Sequence, residues 1–160
     1  MKSNYSHINF CMWIFLLLFQ FTVFGNSPFF NYISAIEVSD ILLDDNYTWV
    51  ATKGGLIRIN QNDSDIKLFK NNEQIPDLQL TALCKDSSGN LWIGSRKGFL
   101  YQITPRGRIT KYDSYIFNNE SGKWRINDIL SFGKYLIIGA KSGLSIFDTE
   151  LKNAYRNVTS

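Results

Sequence analysis

The stretch LTALCKDSSGNLWIGSRKGFLYQI, Leu80 to Ile103, decides the fold of this chain. It holds three short apolar runs, Leu80–Cys84, Leu91–Gly94 and Phe99–Ile103, joined by turns of Asp, Ser, Asn and Gly. Runs of this length and composition, punctuated in this way, predict strands in tight hairpins. In Asp86-Ser87-Ser88-Gly89-Asn90 the Asp and Ser side chains can cap the backbone, and the glycine can take a positive φ. Lys97-Gly98 supplies the next reversal.

The same pattern stands on either side. VSDILLDDNYTWVATKGGLIRI begins at Val38 and INDILSFGKYLIIGAKSGLSIF at Ile126, so the starts lie 42 and 46 residues apart. A period of this size marks stacked units that bury their apolar faces only against neighbours. Each copy parses into four strands. The first has Val38–Leu43, Thr48–Ala51, Gly55–Ile59 and Ile66–Lys70; the second adds Ile109–Tyr112 to its three; the third has Ile126–Leu130, Tyr135–Gly139, Leu144–Phe147 and Ala154–Val158. Four short antiparallel strands per unit predict an all-β partial β-propeller of about three blades. Trp49 and Trp92 hold one position of the repeat and Ile137 holds it in the third copy, which predicts packing between blades.

Ahead of the repeats, Lys2 precedes an apolar run from Phe10 to Phe24, followed by Gly25, Asn26 and Ser27. That order is the signature of a secretory signal peptide, and the run is shorter than the roughly 20 residues of a membrane span. An uncleaved anchor stays open as the other reading. The chain therefore divides into a leader (1–27), an N-terminal strand or linker (28–37), blade 1 (38–75), blade 2 with a long connector (76–125) and blade 3 (126–160).

Net charge is +3, and loss of Lys2 with the leader takes it to +2. No like-charge run is sustained, so nucleic acid is not expected as a partner. Cys11 leaves with the leader, and Cys84 on an apolar strand reads as a small buried hydrophobe. His7 is the only histidine and also lies in the leader, which removes imidazole catalysis and His-ligated metal from the mature chain. Asp63-Ser64-Asp65 lacks the glycine and later glutamate of a calcium loop, so no metal and no cofactor are expected. DSSGNLW is a poor match to an Asp-box turn, since Ser87 stands five residues before Trp92. The expectation is binding without catalysis. The connector mixes aromatic and basic residues, and Tyr115, Phe117, Lys123, Trp124 and Arg125 are its candidate contacts for a glycan or protein ligand. The competing reading is that Phe117 and Trp124 cover a blade edge.

WVATKGGLIRI, LWIGSRKGFLYQI and LIIGAKSGLSIF resemble the two-component regulator propeller repeat. Asp86, Gly89, Trp92, Gly94, Ser95, Gly98 and Leu100 fit its pattern best, with Phe99 inserted, and Trp49, Gly55, Gly139 and Gly143 keep parts of it. Ala51 replaces the glycine after Trp-Val in the first copy, and the third lacks the Trp and the Asp-x-x-Gly turn. The resemblance implies an exported module in the periplasm or on the surface of a Gram-negative bacterium. Such modules stand at the front of two-component sensors, many of them responsive to polysaccharide. Related propellers serve secretion or surface machinery, and some propellers outside the family are hydrolases.

Closed propellers need roughly 4 to 8 blades. The three here predict the N-terminal piece of a longer product, whose further blades complete the ring. A second copy completing six blades is the structural alternative. Membrane contact would come only through a missing downstream span or an uncleaved leader.

Overall fold

Alternating side chains and glycine-punctuated turns produce twelve strands in chain order: β1 (Val38–Leu43), β2 (Tyr47–Thr52), β3 (Gly55–Asn60), β4 (Ile66–Phe69), β5 (Leu80–Lys85), β6 (Leu91–Ser95), β7 (Leu100–Ile103), β8 (Ile109–Tyr112), β9 (Ile126–Phe132), β10 (Tyr135–Ala140), β11 (Gly143–Asp148) and β12 (Asn153–Thr159). The computed structural model describes residues 37–69, 75–112, 124–141 and 143–159. Every pairing is antiparallel between sequence neighbours, giving three four-stranded meanders: β1-β2-β3-β4, β5-β6-β7-β8 and β9-β10-β11-β12. The all-β, three-blade reading of the sequence therefore holds.

Boundaries shift where a hairpin offers a further partner. Tyr47 pairs with Asn60 and extends β2 by one residue. Phe99 falls in a turn instead of a strand: Ser95 N–H donates to Phe99 O at 3.0 Å, and Phe99 N–H donates to Ser95 Oγ at 3.1 Å. The extra residue is absorbed there, and Leu100 regains the register by pairing with Gly94.

The inner strand of each blade carries the same irregularity. Register slips between Val38 and Asp40, between Leu80 and Ala82, and between Ile126 and Asp128 opposite Ala140 and Gly139. A bulge of this kind bends and twists the strand. Its repetition makes the three inner strands superimposable position by position.

Burial follows the two-residue period of a strand. One face of blade 2, with Leu80, Leu83, Leu91, Ile93, Tyr101 and Ile103, packs on Trp49, Ala51 and Leu56 of blade 1. Its opposite face, with Ala82, Cys84, Trp92, Leu100 and Tyr112, packs on Ile126, Ile129, Leu136, Ile138 and Phe147 of blade 3. The core is thus two interblade layers, and the middle sheet is apolar on both sides. Gly94 is set by this packing: a Cβ there would lie 2.5 Å from Ile126 Cγ2, so only glycine admits the neighbouring isoleucine. A polar tie fixes each junction. Leu83 N–H donates to Asp40 Oδ2 at 2.7 Å across the first, and the Thr81 hydroxyl donates to Ile126 O at 2.6 Å across the second.

Candidate functional site

At the second junction Trp92 is closed in. Its ring meets Tyr112 at 5.7 Å and Phe147 at 5.6 Å between centroids, and its indole N–H donates to Asp86 Oδ2 at 2.7 Å. Asp86 Oδ1 also accepts from the backbone N–H of Ser88 and Asn90, and Oδ2 from the Asn90 side chain. Burial pushes the Asp86 carboxyl up, but the Trp92, Asn90 and Ser88 donors outweigh it and hold the group below its ordinary value. The carboxylate that serves Trp92 thus stands six residues before it, one residue earlier than an Asp-box would place it. The remaining face is covered by Lys152, whose Nζ lies 5.2 Å from the ring centroid. Burial lowers the Lys152 pKa, with Asp86 and Asp148 pulling the other way.

At the first junction the equivalent Trp49 is buried less completely, 8% exposed against 0% for Trp92, and reaches the lining of a cleft. Asp44, at the end of β1, turns to Lys85 Nζ at 2.5 Å and leaves Trp49 without the carboxylate that Trp92 has. The turn after β7 does not cover the ring either. Both turns put a residue in the left-handed region at the same place: Gly107 at φ 80° donates to Thr104 O, and Lys152 at φ 57° donates to Asp148 O. The lysine carries a side chain back over its tryptophan, whereas the glycine carries none, and a Cβ at Gly107 would meet nothing within 4 Å. A cleft of about 450 Å³ results, open to solvent between blades 1 and 2.

Its wall is aromatic and its rim is charged. Tyr47 and Phe69 flank Trp49 at 6.0 and 6.2 Å. The Arg58 guanidinium stacks 4.6 Å from the Tyr47 centroid, and Lys67 Nζ lies 5.0 Å from that of Phe69. Asp44, Asp45, Lys85, Thr104 and Gly107 form much of the mouth. Flat apolar rings beside cations and carboxylates suit a small ring-bearing ligand with polar substituents.

The connector residues expected to make contact lie elsewhere. Tyr115, Phe117 and Lys123 fall outside the described residues. Trp124 is half-buried against the core between blades 2 and 3, and its carbonyl oxygen sits 2.7 Å from where a Gly98 Cβ would stand. Arg125 is exposed, and its backbone O accepts from Lys141 N–H at 3.2 Å. Neither lines the cleft. Among the repeat residues, Trp49 and Gly89 do line it, whereas Trp92 and Gly94 belong to the second junction. Tyr47, Arg58, Lys67 and Phe69 escaped the reading of the sequence. The signal for them was the glycine at 107 where the third copy has Lys152.

The Cys84 thiol is raised by burial, against a lowering backbone hydrogen bond from Ser131, which suits a packing role. Among the described residues no cluster of three or more His, Cys, Asp or Glu could hold a metal ion, and no helix is long and apolar enough to cross a membrane.

Residues 74–97, spanning the whole β5–β6 hairpin, match the model of the two component regulator propeller family. No curated protein matches the chain significantly. Among solved structures, the extracellular domain of BT3049 from B. thetaiotaomicron, ascribed to a hybrid two component system, superposes with a TM-score of 0.60 at 21% identity over 76% of this chain and 17% of that one. The extracellular domain of BT4673 from the same organism, likewise ascribed to a hybrid two component system, gives 0.63 at 20% identity over 77% and 16%. PorZ, a surface component of the type-IX secretion system of Porphyromonas gingivalis, gives 0.62 at 14% identity over 76% and 16%. The chain spans about a sixth of the length of these relatives. With one repeat matched in sequence and three blades of a common fold, the chain is a stretch of β-propeller that carries the two component regulator propeller repeat.

Proposed function

We propose that this chain is the exported, non-catalytic propeller part of a periplasmic sensor, and that the cleft between its first two blades receives the ligand. The part of Trp49 that reaches the cleft lining carries this reading. At the matching place of the second junction the protein closes its own tryptophan with Lys152 and Asp86, and at the first it does not. A large ring left at a cleft beside Tyr47, Phe69 and Arg58 is a binding wall. The leader and the extracellular context of the structural relatives support export. Polysaccharide fragments, the ligand class implied by the family resemblance, present ring faces that stack on such walls.

The test is a titration of the exported chain with oligosaccharides from hydrolysed polysaccharide, followed by tryptophan fluorescence. A saturable change is expected in the wild type, and its loss in Gly107→Lys, which places a lysine where Lys152 stands at the other junction. An unchanged spectrum, or an equal response from the blocked variant, would refute the assignment.

The likeness to PorZ favours a second reading, a scaffold in a secretion or surface machinery. That reading moves the contact to the connector, where Arg125→Ala, at an exposed position, would weaken protein capture without loss of fold. The length of the native gene product separates the two. A following membrane span with a kinase selects the sensor, and a C-terminal sorting module selects the scaffold.

A further inference from the structure

We infer that the ligand of the cleft between blades 1 and 2 is an acidic sugar, a ring bearing a carboxylate, and that Arg58 and Lys67 recognise the carboxylate. The inference rests on the reading of that cleft as the binding site and names the chemical class it takes. Strand pairing puts the two cations in one row: Trp49 on β2 stands opposite Arg58 on β3, and Arg58 stands opposite Lys67 on β4. Side chains directly opposite each other in adjacent strands share a face of the sheet, and all three of these line the cleft. Arg58 and Lys67 are therefore like charges side by side, an arrangement that is destabilising on its own and that a bound anion relieves.

The protein supplies no such anion. Among the described residues neither Arg58 nor Lys67 enters an ion pair. Asp44 at the mouth is taken by Lys85, so the lining keeps two cations, Arg58 and Lys67, against one carboxylate, Asp45. The excess is one positive charge, which one ligand carboxylate fills. Asp45, in the turn that joins β1 to β2, is left to accept from hydroxyls. The posture of the cations suits this task. The guanidinium stacks on Tyr47 at 4.6 Å, and the Lys67 ammonium lies over Phe69 at 5.0 Å. A stacked guanidinium spends its face on the ring and keeps its in-plane N–H groups for a bidentate bond to a carboxylate. Blade 2 is an internal control. There Trp92 stands opposite Gln102 and Gln102 opposite Thr110, the same row in a junction that the protein closes by itself. Both positions are neutral, and Gln102 Oε1 accepts from the Tyr112 hydroxyl at 3.1 Å. Of the two junctions, the one with the cleft carries the cations.

The test is calorimetric titration of the exported chain with short oligomers of galacturonate, glucuronate and mannuronate. Each is set against its fully methyl-esterified form, which keeps the ring and removes the charge. At least one acid is expected to bind about tenfold or more tighter than its ester, the scale of one charge-assisted hydrogen bond, and to weaken as salt rises. Arg58→Gln with Lys67→Thr installs the residues that blade 2 holds at these places and is expected to bring acid and ester to the same affinity. The ester comparison is made on the unaltered chain and stands whether or not the variant folds. Equal or tighter binding of the esters, or a preference for acid that survives the double variant, would overturn the charge reading and leave the cleft as the site. Absence of binding by every acid and ester, or binding that Gly107→Lys does not reduce, would overturn the cleft reading and this inference with it.

Discussion

The two junctions of this array start from one repeat position and end as different objects. Trp92, between blades 2 and 3, is enclosed by Tyr112 and Phe147, hydrogen-bonded to Asp86 and covered by Lys152. Trp49, between blades 1 and 2, has Tyr47 and Phe69 beside it and opens on the cleft. The repeated strands fix where a tryptophan stands; the turn residues of the following blade decide whether it is core or wall. A left-handed lysine closes one junction and a left-handed glycine leaves the other open.

The largest test of this contrast is the tryptophans themselves. Trp92→Ala is expected to cost about 3–5 kcal/mol, the range for deleting a fully buried large aromatic, and to remove one of the donors to Asp86 besides. Trp49→Ala is expected to cost about 1 kcal/mol less, since Trp49 is 8% exposed and lacks the carboxylate that accepts from the Trp92 indole. Urea denaturation measures both, and equal losses would break the comparison.

Next comes the carboxylate. Asp86→Ala removes an acceptor that serves Trp92, Ser88 and Asn90, leaving a buried indole N–H unpaired, and is expected to cost about 1–3 kcal/mol. Asp44→Ala at the open junction loses an exposed ion pair with Lys85 and is expected to cost at most about 1 kcal/mol.

The same carboxylate predicts a pH effect. Its folded pKa lies below the unfolded value, so the folded state binds fewer protons in the acid range. The stabilisation is full above the unfolded carboxylate pKa, near about 4, and is lost as pH falls through the lower folded value. Thermal denaturation from pH 6 downward is expected to show this decline. Asp86→Asn is expected to flatten it; an identical slope in the variant would assign the acid sensitivity elsewhere.

The smallest effects sharpen the comparison most. Lys152→Gly loses a cation–π contact of about 0.5–1 kcal/mol and gains relief of a left-handed non-glycine residue of similar size. Its stability is therefore expected to be nearly unchanged. Acrylamide quenching of Trp92 is expected to rise toward that of Trp49. Gly107→Lys is expected to do the reverse at Trp49. Quenching that stays put in both variants would mean that the turn residue is not the determinant.

Much of the architecture was legible because it rests on local chemistry. Alternating apolar runs and the turn at Asp86–Asn90 specify hairpins wherever the chain goes, and three copies of one pattern imply sheets that need neighbours. Even the packing role of Trp92 could be read from Ile137 at the same place in blade 3.

The sequence by itself determined the strands, their order and the absence of imidazole from the repeats. The tertiary structure alone decided which tryptophan is sealed and which lines a cleft, and that Leu130, Leu144, Val38 and Ile41 stand exposed at the ends. The physical reason is range. Strand pairing is settled by neighbours in the chain, whereas burial of a blade face depends on side chains more than 30 residues away, as Gly94 and Ile126 on one side and Trp92 and Lys152 on the other demonstrate.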